Sequence, residues 1–201
     1  MEFVEDIAAL ETIYGEPGAS SIRKVACVLT PAYRTWINRS RFCILSTVGP
    51  EGTDATPRGD DGPVVLVLGQ KTLALPDWHG NNRIDSLRNI VRDPRVSLMF
   101  MVAGSNNVVR VNGTAGVTCE FDMTARFERK GRQPRSVIIV DIEEIYFQCA
   151  RALLRARLWV DGDQSAGLPT AGEILSEMTD GTVGGVDYDQ EWPDRAAKTM
   201  W

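Results

Sequence analysis

Residues 73–102 read LALPDWHGNNRIDSLRNIVRDPRVSLMFMV, and they pass from strand to loop to helix and back to strand. Thr72–Leu75 closes an apolar run, and Pro76–Asn82 is loop material. From there to about Arg92, Ile84, Leu87, Ile90 and Val91 recur on one side of a helix. Asn82 suits the N-cap, with Asp85 three residues on at the positive helix end. Asp93-Pro94 stops the helix, and Val96–Val102 opens the next strand. One helix between two strands is compatible with a βαβ unit, so its surroundings decide the fold.

Upstream, Phe42–Val48 is an apolar run, Gly49-Pro50-Glu51-Gly52 is turn material, and Thr53–Pro57 completes a hairpin. Val64–Leu68 and Thr72–Leu75 flank a second short turn, Gly69-Gln70-Lys71. Downstream, a Gly-Ser-Asn-Asn loop separates Val96–Val102 from Val108–Cys119. Ser136–Gln148 is a further long strand, and Cys149–Leu158 a helix. About six strands joined mostly by tight turns, with one internal helix, lack the alternation of a parallel sheet. The expectation is a mainly β antiparallel barrel with peripheral helices.

The ends are helical. Ile7, Leu10, Ile13 and Tyr14 share a helical face until Gly15–Pro17, and Ile22, Val25, Ala26 and Leu29 share another from Ser20. Pro31 starts a third turn of helix. Pro169–Met178 forms one helix, and the last twenty residues read as an acidic arm, loosely ordered or packed on a partner. The division is a helical segment 1–40 packing on the barrel, a barrel core 41–160, and a C-terminal helix with acidic arm 161–201.

Composition narrows the function. The 201 residues carry 22 Lys+Arg against 27 Asp+Glu, a net charge of −5, which gives no global attraction to nucleic acid or anionic lipid. No run approaches the roughly eighteen apolar residues of a membrane span. The acidic amphipathic amino end is unlike a secretory signal, so the cytoplasm is expected. His79 is the single histidine, which excludes a multi-histidine metal centre within one chain. Cys27, Cys43, Cys119 and Cys149 form no CxxC pair and are expected as buried small hydrophobes. Chemistry here calls for a borrowed cofactor.

Three segments could bind an anion. Arg58, in Thr56-Pro57-Arg58-Gly59-Asp60-Asp61-Gly62, is a fork for phosphate or carboxylate, or else pairs with Asp60 or Asp61 beside a turn. Gly80-Asn81-Asn82-Arg83 enters a helix, where backbone N–H groups attract anions; alternatively it is an Asn cap with a solvated Arg. It is neither a Walker A nor a GxGxxG motif. Arg110, within Val109-Arg110-Val111-Asn112-Gly113, faces opposite to its valines and reaches either a ligand or water. His79 is an acid/base candidate or a surface residue, and Trp78 a stacking platform or an interface anchor.

The ordered set TPRGD, LALPDWHGNNRIDSLRNIVRDPRVSLMFMV and VRVNGTAGV resembles the pyridoxamine 5'-phosphate oxidase-like family of flavin-binding split barrels, within it an uncharacterised PRGD/GNNR/RVNG subgroup. ALETIYGEPGASSIRKV, YFQCARALLRARLW and PTAGEILSEM extend the likeness to about residues 5–180. The resemblance implies a six-stranded antiparallel split barrel, a homodimer, and flavin mononucleotide (FMN) in clefts at the dimer interface. It places the FMN phosphate against Arg58, Asn81, Asn82 and Arg83, runs Leu75, Pro76 and Asp77 past the isoalloxazine ring, and matches Arg110 to a strand arginine near the flavin. The Ser-x-Lys pattern, the flavin-contacting glutamine and the C-terminal Trp/Arg motifs of true pyridoxamine 5'-phosphate oxidases are not found, so B6 vitamers are not the expected substrate. The implied function is an FMN-dependent oxidoreductase acting on a small molecule. The alternative is a non-catalytic binder of flavin, deazaflavin or haem on the same barrel.

Overall fold

The computed structural model describes residues 1–200. Seven strands form one antiparallel sheet: β1 (Phe42–Gly49), β2 (Gly52–Gly59), β3 (Leu66–Val67), β4 (Thr72–Asp77), β5 (Arg95–Met101), β6 (Val108–Thr118) and β7 (Ser136–Gln148). Their order is β2-β1-β5-β6-β7-β4-β3, every neighbouring pair antiparallel. This is the split-barrel fold with one strand more than expected. The extra one, β3, is two residues long and pairs only Leu66 with Ala74 and Val67 with Leu73.

Alternation along each strand builds the core, because successive side chains point to opposite faces. Leu45, Leu98, Val111 and Ile145 are successive register partners across β1, β5, β6 and β7, and all four are fully buried. Cys43, Phe100 and Val109 make a second such row. The β6–β7 register shifts between Asn112 and Gly113, which lets both long strands keep apolar residues inward on either side of the bulge. A Cβ on Gly113 would run into the Asp141 carbonyl oxygen, so only glycine fits there.

Helices flank the sheet. The N-terminal ones are α1 (Ile7–Tyr14), α2 (Ala19–Arg23) and α3 (Pro31–Arg39). In α3, Thr30 caps the N-terminus, Pro31 occupies the first turn, and Ile37 is buried in the core. In α1 the Asp6 carboxylate accepts from Ala9 N–H at 2.7 Å, yet none of its residues is buried. The second helical run is shorter than expected. After Arg23 the chain becomes extended, Ala26 bridges to Ile145, and Leu29 N–H donates to the Gln70 carbonyl.

Between β4 and β5 lies α4 (Asp85–Arg92), which buries Ser86 and Ile90. Short α5 (Phe121–Thr124) and a 3-10 turn (Ala125–Phe127) precede β7, and α6 (Arg151–Ala156) follows it. The C-terminal residues form α7 (Ala171–Met178), α8 (Gly185–Gln190) and α9 (Trp192–Thr199). The last twenty residues, expected as an acidic arm either loosely ordered or packed on a partner, are instead helical and bonded to their own chain. Thr170 and Glu173 form a capping box, Asp189 accepts from Gly172 N–H at 2.8 Å, and Arg132 donates to the Lys198 carbonyl at 2.8 Å. Of the arm's acidic side chains, Asp189 and Glu191 make such local bonds. The cysteines also differ from expectation: Cys43 is buried, but Cys27, Cys119 and Cys149 are exposed, all four free. No described helix is long and apolar enough to cross a membrane.

Candidate functional site

The hydrogen-bonded ladder stays open between its two ends, and side chains bridge that gap. Arg58 on β2 forms an ion pair with Asp77 on β4, with both side chains 18% exposed. Arg129 reaches Asp60 at 2.7 Å and also pairs with Asp61. Trp78 Nε1 donates to the second oxygen of Asp60 at 3.2 Å. The alternative pairing considered for Arg58, with Asp60 or Asp61, is overturned because Arg129 takes both. Burial holds the Asp60 carboxyl above the usual carboxylate range. Cys43, the register partner of Arg58, has its thiol pushed up to about 12 by burial, opposed by the Arg58 charge.

Behind this split is a cavity of about 1200 Å³. β4 contributes Leu75, Pro76 and Asp77 to its wall. That stretch continues the strand, pairing Pro76 with Val137 and Asp77 with Ser136, where a loop was expected from Pro76 onward. Proline is tolerated because β3 pairs with β4 only as far as Ala74, leaving the outer edge of β4 beyond it without a neighbouring strand.

The Gly80–Arg83 loop forms another wall. Asn82 and Ile84 sit at φ 62° and 51°, a left-handed turn that delays the helix. The expected N-cap at Asn82 is thus incorrect. α4 starts at Asp85, Ile84 precedes it, and no side chain caps it. Asp85 occupies the positive end of the helix and accepts from Arg83 Nε at 2.8 Å. Asn81 accepts from Arg83 N–H at 3.1 Å, while Asn82 accepts from Arg135 at 2.8 Å. Ser86 donates to Asp54 at 2.5 Å, and Asn89 donates to Thr47 at 3.1 Å, fixing α4 against the β1–β2 hairpin.

The cavity thus collects Arg58, Asp77, Asn81, Asn82 and Arg83 from segments far apart in sequence, with Trp78 half-buried and His79 exposed at its wall. Arg110 is not brought there. Its guanidinium stacks over the Tyr146 ring at 5.3 Å and donates to Gln148 at 3.3 Å. Arg135 was missed by sequence reasoning. The signal was its position immediately before β7, whose Ser136 pairs with the cavity residue Asp77. Trp192 and Met200 also line the cavity, and nothing local in the sequence announced it.

The donors suit an anion attached to a larger body. Arg58 Nε is buried with no hydrogen-bond partner, a polar atom a ligand acceptor would satisfy. The Arg83 side chain is 77% exposed and pairs with the exposed Asp85, so it can turn toward a ligand at little cost. No group of three or more metal-binding side chains occurs among the described residues.

The sequence profile of the family described as "Pyridoxamine 5'-phosphate oxidase" matches residues 29–149. No curated protein sequence matches. Among solved structures, the chain is similar to a putative pyridoxamine 5'-phosphate oxidase from Lactobacillus delbrueckii (24% identity, TM-score 0.49), covering 60% of this chain and 95% of that one. HupZ from Group A Streptococcus is 18% identical, with TM-score 0.48 and coverage of 58% and 91%. An F420 reductase is 16% identical, with TM-score 0.42 and coverage of 60% and 98%.

Proposed function

Since the chain belongs to the pyridoxamine 5'-phosphate oxidase family, we propose that it is an FMN-dependent oxidoreductase acting on a small molecule other than a B6 vitamer. The buried, unpartnered Nε of Arg58 at the wall of a cavity large enough for a flavin carries this reading. Arg58, Asn81, Asn82 and Arg83 would hold the phosphate, joined by Arg135. The β4 edge from Leu75 to Asp77 would pass the ring, with Leu75 and Pro76 supplying apolar surface. Bound FMN would supply the electron-accepting chemistry, and the protein its binding, orientation and exclusion of water.

The charges present fit a phosphate only after rearrangement. Arg58 and Arg83 are already neutralised by Asp77 and Asp85. Arg135 has an amide oxygen as its hydrogen-bond acceptor at 2.8 Å. Arg135 would therefore meet a phosphate without giving up a carboxylate, exposed Arg83 would turn from Asp85 toward it, and Arg58 would offer its unpartnered Nε while keeping its pairing with Asp77. Asp60 keeps Trp78 oriented at the wall by accepting its indole N–H. Arg110 would reach a flavin only across the interface of a homodimer.

The test is FMN retention through gel filtration. The wild-type chain retains about one FMN per chain, and Arg58→Ala/Arg83→Ala loses it, each guanidinium–phosphate contact contributing roughly 1.5–3 kcal/mol. Unchanged affinity in the double variant removes the site assignment. With flavin bound, reduction by NAD(P)H or another donor supports the enzyme. Inertness to all donors leaves a non-catalytic flavin carrier, and a preference for deazaflavin or haem replaces FMN as the ligand.

A further inference from the structure

We propose that the C-terminal helices cap the cavity, and that Trp192 and Met200 form an apolar wall against the planar part of an anionic ligand. This rests on the reading that such a ligand, FMN, occupies the cavity.

The family match ends at residue 149, so the cap lies outside the matched segment. It has internal structure of its own. Gly172 in α7 meets the Gly185 carbonyl and the Asp189 side chain so closely that a Cβ would collide with both. Thr170 donates to Asp189 at 2.5 Å, joining the start of α7 to α8. Arg195 donates to the Tyr188 carbonyl at 2.9 Å, stacks over the Tyr188 ring at 4.1 Å, and lies 6.0 Å from the centre of the Trp192 ring. These contacts fix α9 relative to α8 and orient the Trp192 indole.

The cap is then tied to the turn that holds the cavity residues Asp60 and Asp61. Arg132 sits in the Arg129–Arg132 turn whose other arginine clamps Asp60 and Asp61, and it donates to the Lys198 carbonyl. The result places Trp192, 59% exposed, and Met200, 57% exposed, on the wall of the cavity that also holds Arg58, Arg83 and Arg135. Large apolar side chains held with more than half their surface uncovered gain free energy when a flat apolar group covers them. The cavity lining therefore offers two chemistries: the cations and amides of Arg58, Asn81, Asn82, Arg83 and Arg135, and the indole and thioether of Trp192 and Met200. An aromatic ring bearing a phosphate matches both.

The test uses the full chain with FMN as probe, comparing Trp192→Phe with Trp192→Ala/Met200→Ala. The double variant should weaken FMN binding about tenfold and raise iodide quenching of bound flavin about threefold, while Trp192→Phe stays within about twofold of wild type. Matching thermal melts show that the variants are folded. Wild-type affinity and quenching in the double variant overturn the wall. Should the wild-type chain bind no FMN, the oxidoreductase reading falls by itself, and the cap is read from Cys119 on the same cavity wall. In a chain carrying Cys27→Ser and Cys149→Ser, a polyethylene-glycol maleimide should modify Cys119 about threefold faster once Trp192 and Met200 are alanine, because two bulky side chains are gone from the wall of the cavity Cys119 lines. An equal rate overturns the cap.

Discussion

Position 113 allows no side chain, because the Asp141 carbonyl oxygen occupies the space a Cβ would take. The neighbouring ladder is the longest in the sheet, so relief by backbone movement would disturb β6 and β7 together. Gly113→Ala should cost about 1–3 kcal/mol, the usual range for overpacking. At about 2–4 °C per kcal/mol for a chain of this size, differential scanning fluorimetry would resolve it. An unchanged melting temperature would mean the bulge slides freely. Arg58 presents the opposite situation, a cation whose partner can be removed. Asp77→Ala leaves a mostly buried guanidinium uncompensated, at a cost of about 3 kcal/mol. Added FMN should then raise the melting temperature more in the variant than in the wild type, since its phosphate meets a cation lacking its carboxylate. An equal shift would place the phosphate elsewhere. Arg58 was legible in the sequence as a cation at a strand end. Its partner was not, because Asp77 lies nineteen positions on in a strand whose order in the sheet is set only by folding.

At the scale of elements, the split between β2 and β4 is held by side chains where other neighbouring strands have a backbone ladder. Asp60 is central, accepting from Arg129 and Trp78 while burial raises its pKa. From about pH 4 upward, the unfolded chain has lost the Asp60 proton that the folded chain still binds. The contribution of Asp60 to stability therefore falls as pH rises through that window. Asp60→Asn abolishes this titration, so the stability of the variant relative to wild type should increase as pH rises above about 4. Parallel urea midpoints across that range would refute it. Asp93 works in the other direction: its hydrogen bonds with Arg95 hold its pKa down to about 2, and that contribution is lost as pH falls below the ordinary range. The strands themselves were readable, since alternation and tight turns are local. Less readable was the start of α4. The Gly80–Arg83 loop carries the expected turn and capping residues, but left-handed backbone at Asn82 and Ile84 moved the helix to Asp85 and changed which group occupies its positive end.

Over the whole molecule, apolar surface is distributed unevenly. The barrel buries the apolar side chains that face its core, whereas Phe3 is 77% exposed, Ile7 73%, Ile13 65% and Tyr14 80%. These side chains recur along α1 and the segment before it, a face that its own chain does not cover. Helical spacing predicted the helix correctly because periodicity is a property of the segment. What the face packs against depends on surfaces that periodicity does not encode. A short helix gains most of its stability from packing, so α1 in isolation is marginal. Its apolar face would be covered if two chains associate through it, consistent with the homodimer proposed for the flavin site. Deleting residues 1–17 should weaken self-association at least about tenfold, or about 1.4 kcal/mol, in sedimentation equilibrium. The same deletion removes no buried side chain, and the melting temperature of the monomer at low concentration should stay within about 2 °C, less than 1 kcal/mol. A dimer of unchanged affinity would assign the interface to the barrel alone. A large drop in monomer melting temperature would instead show that α1 folds back on its own chain in solution.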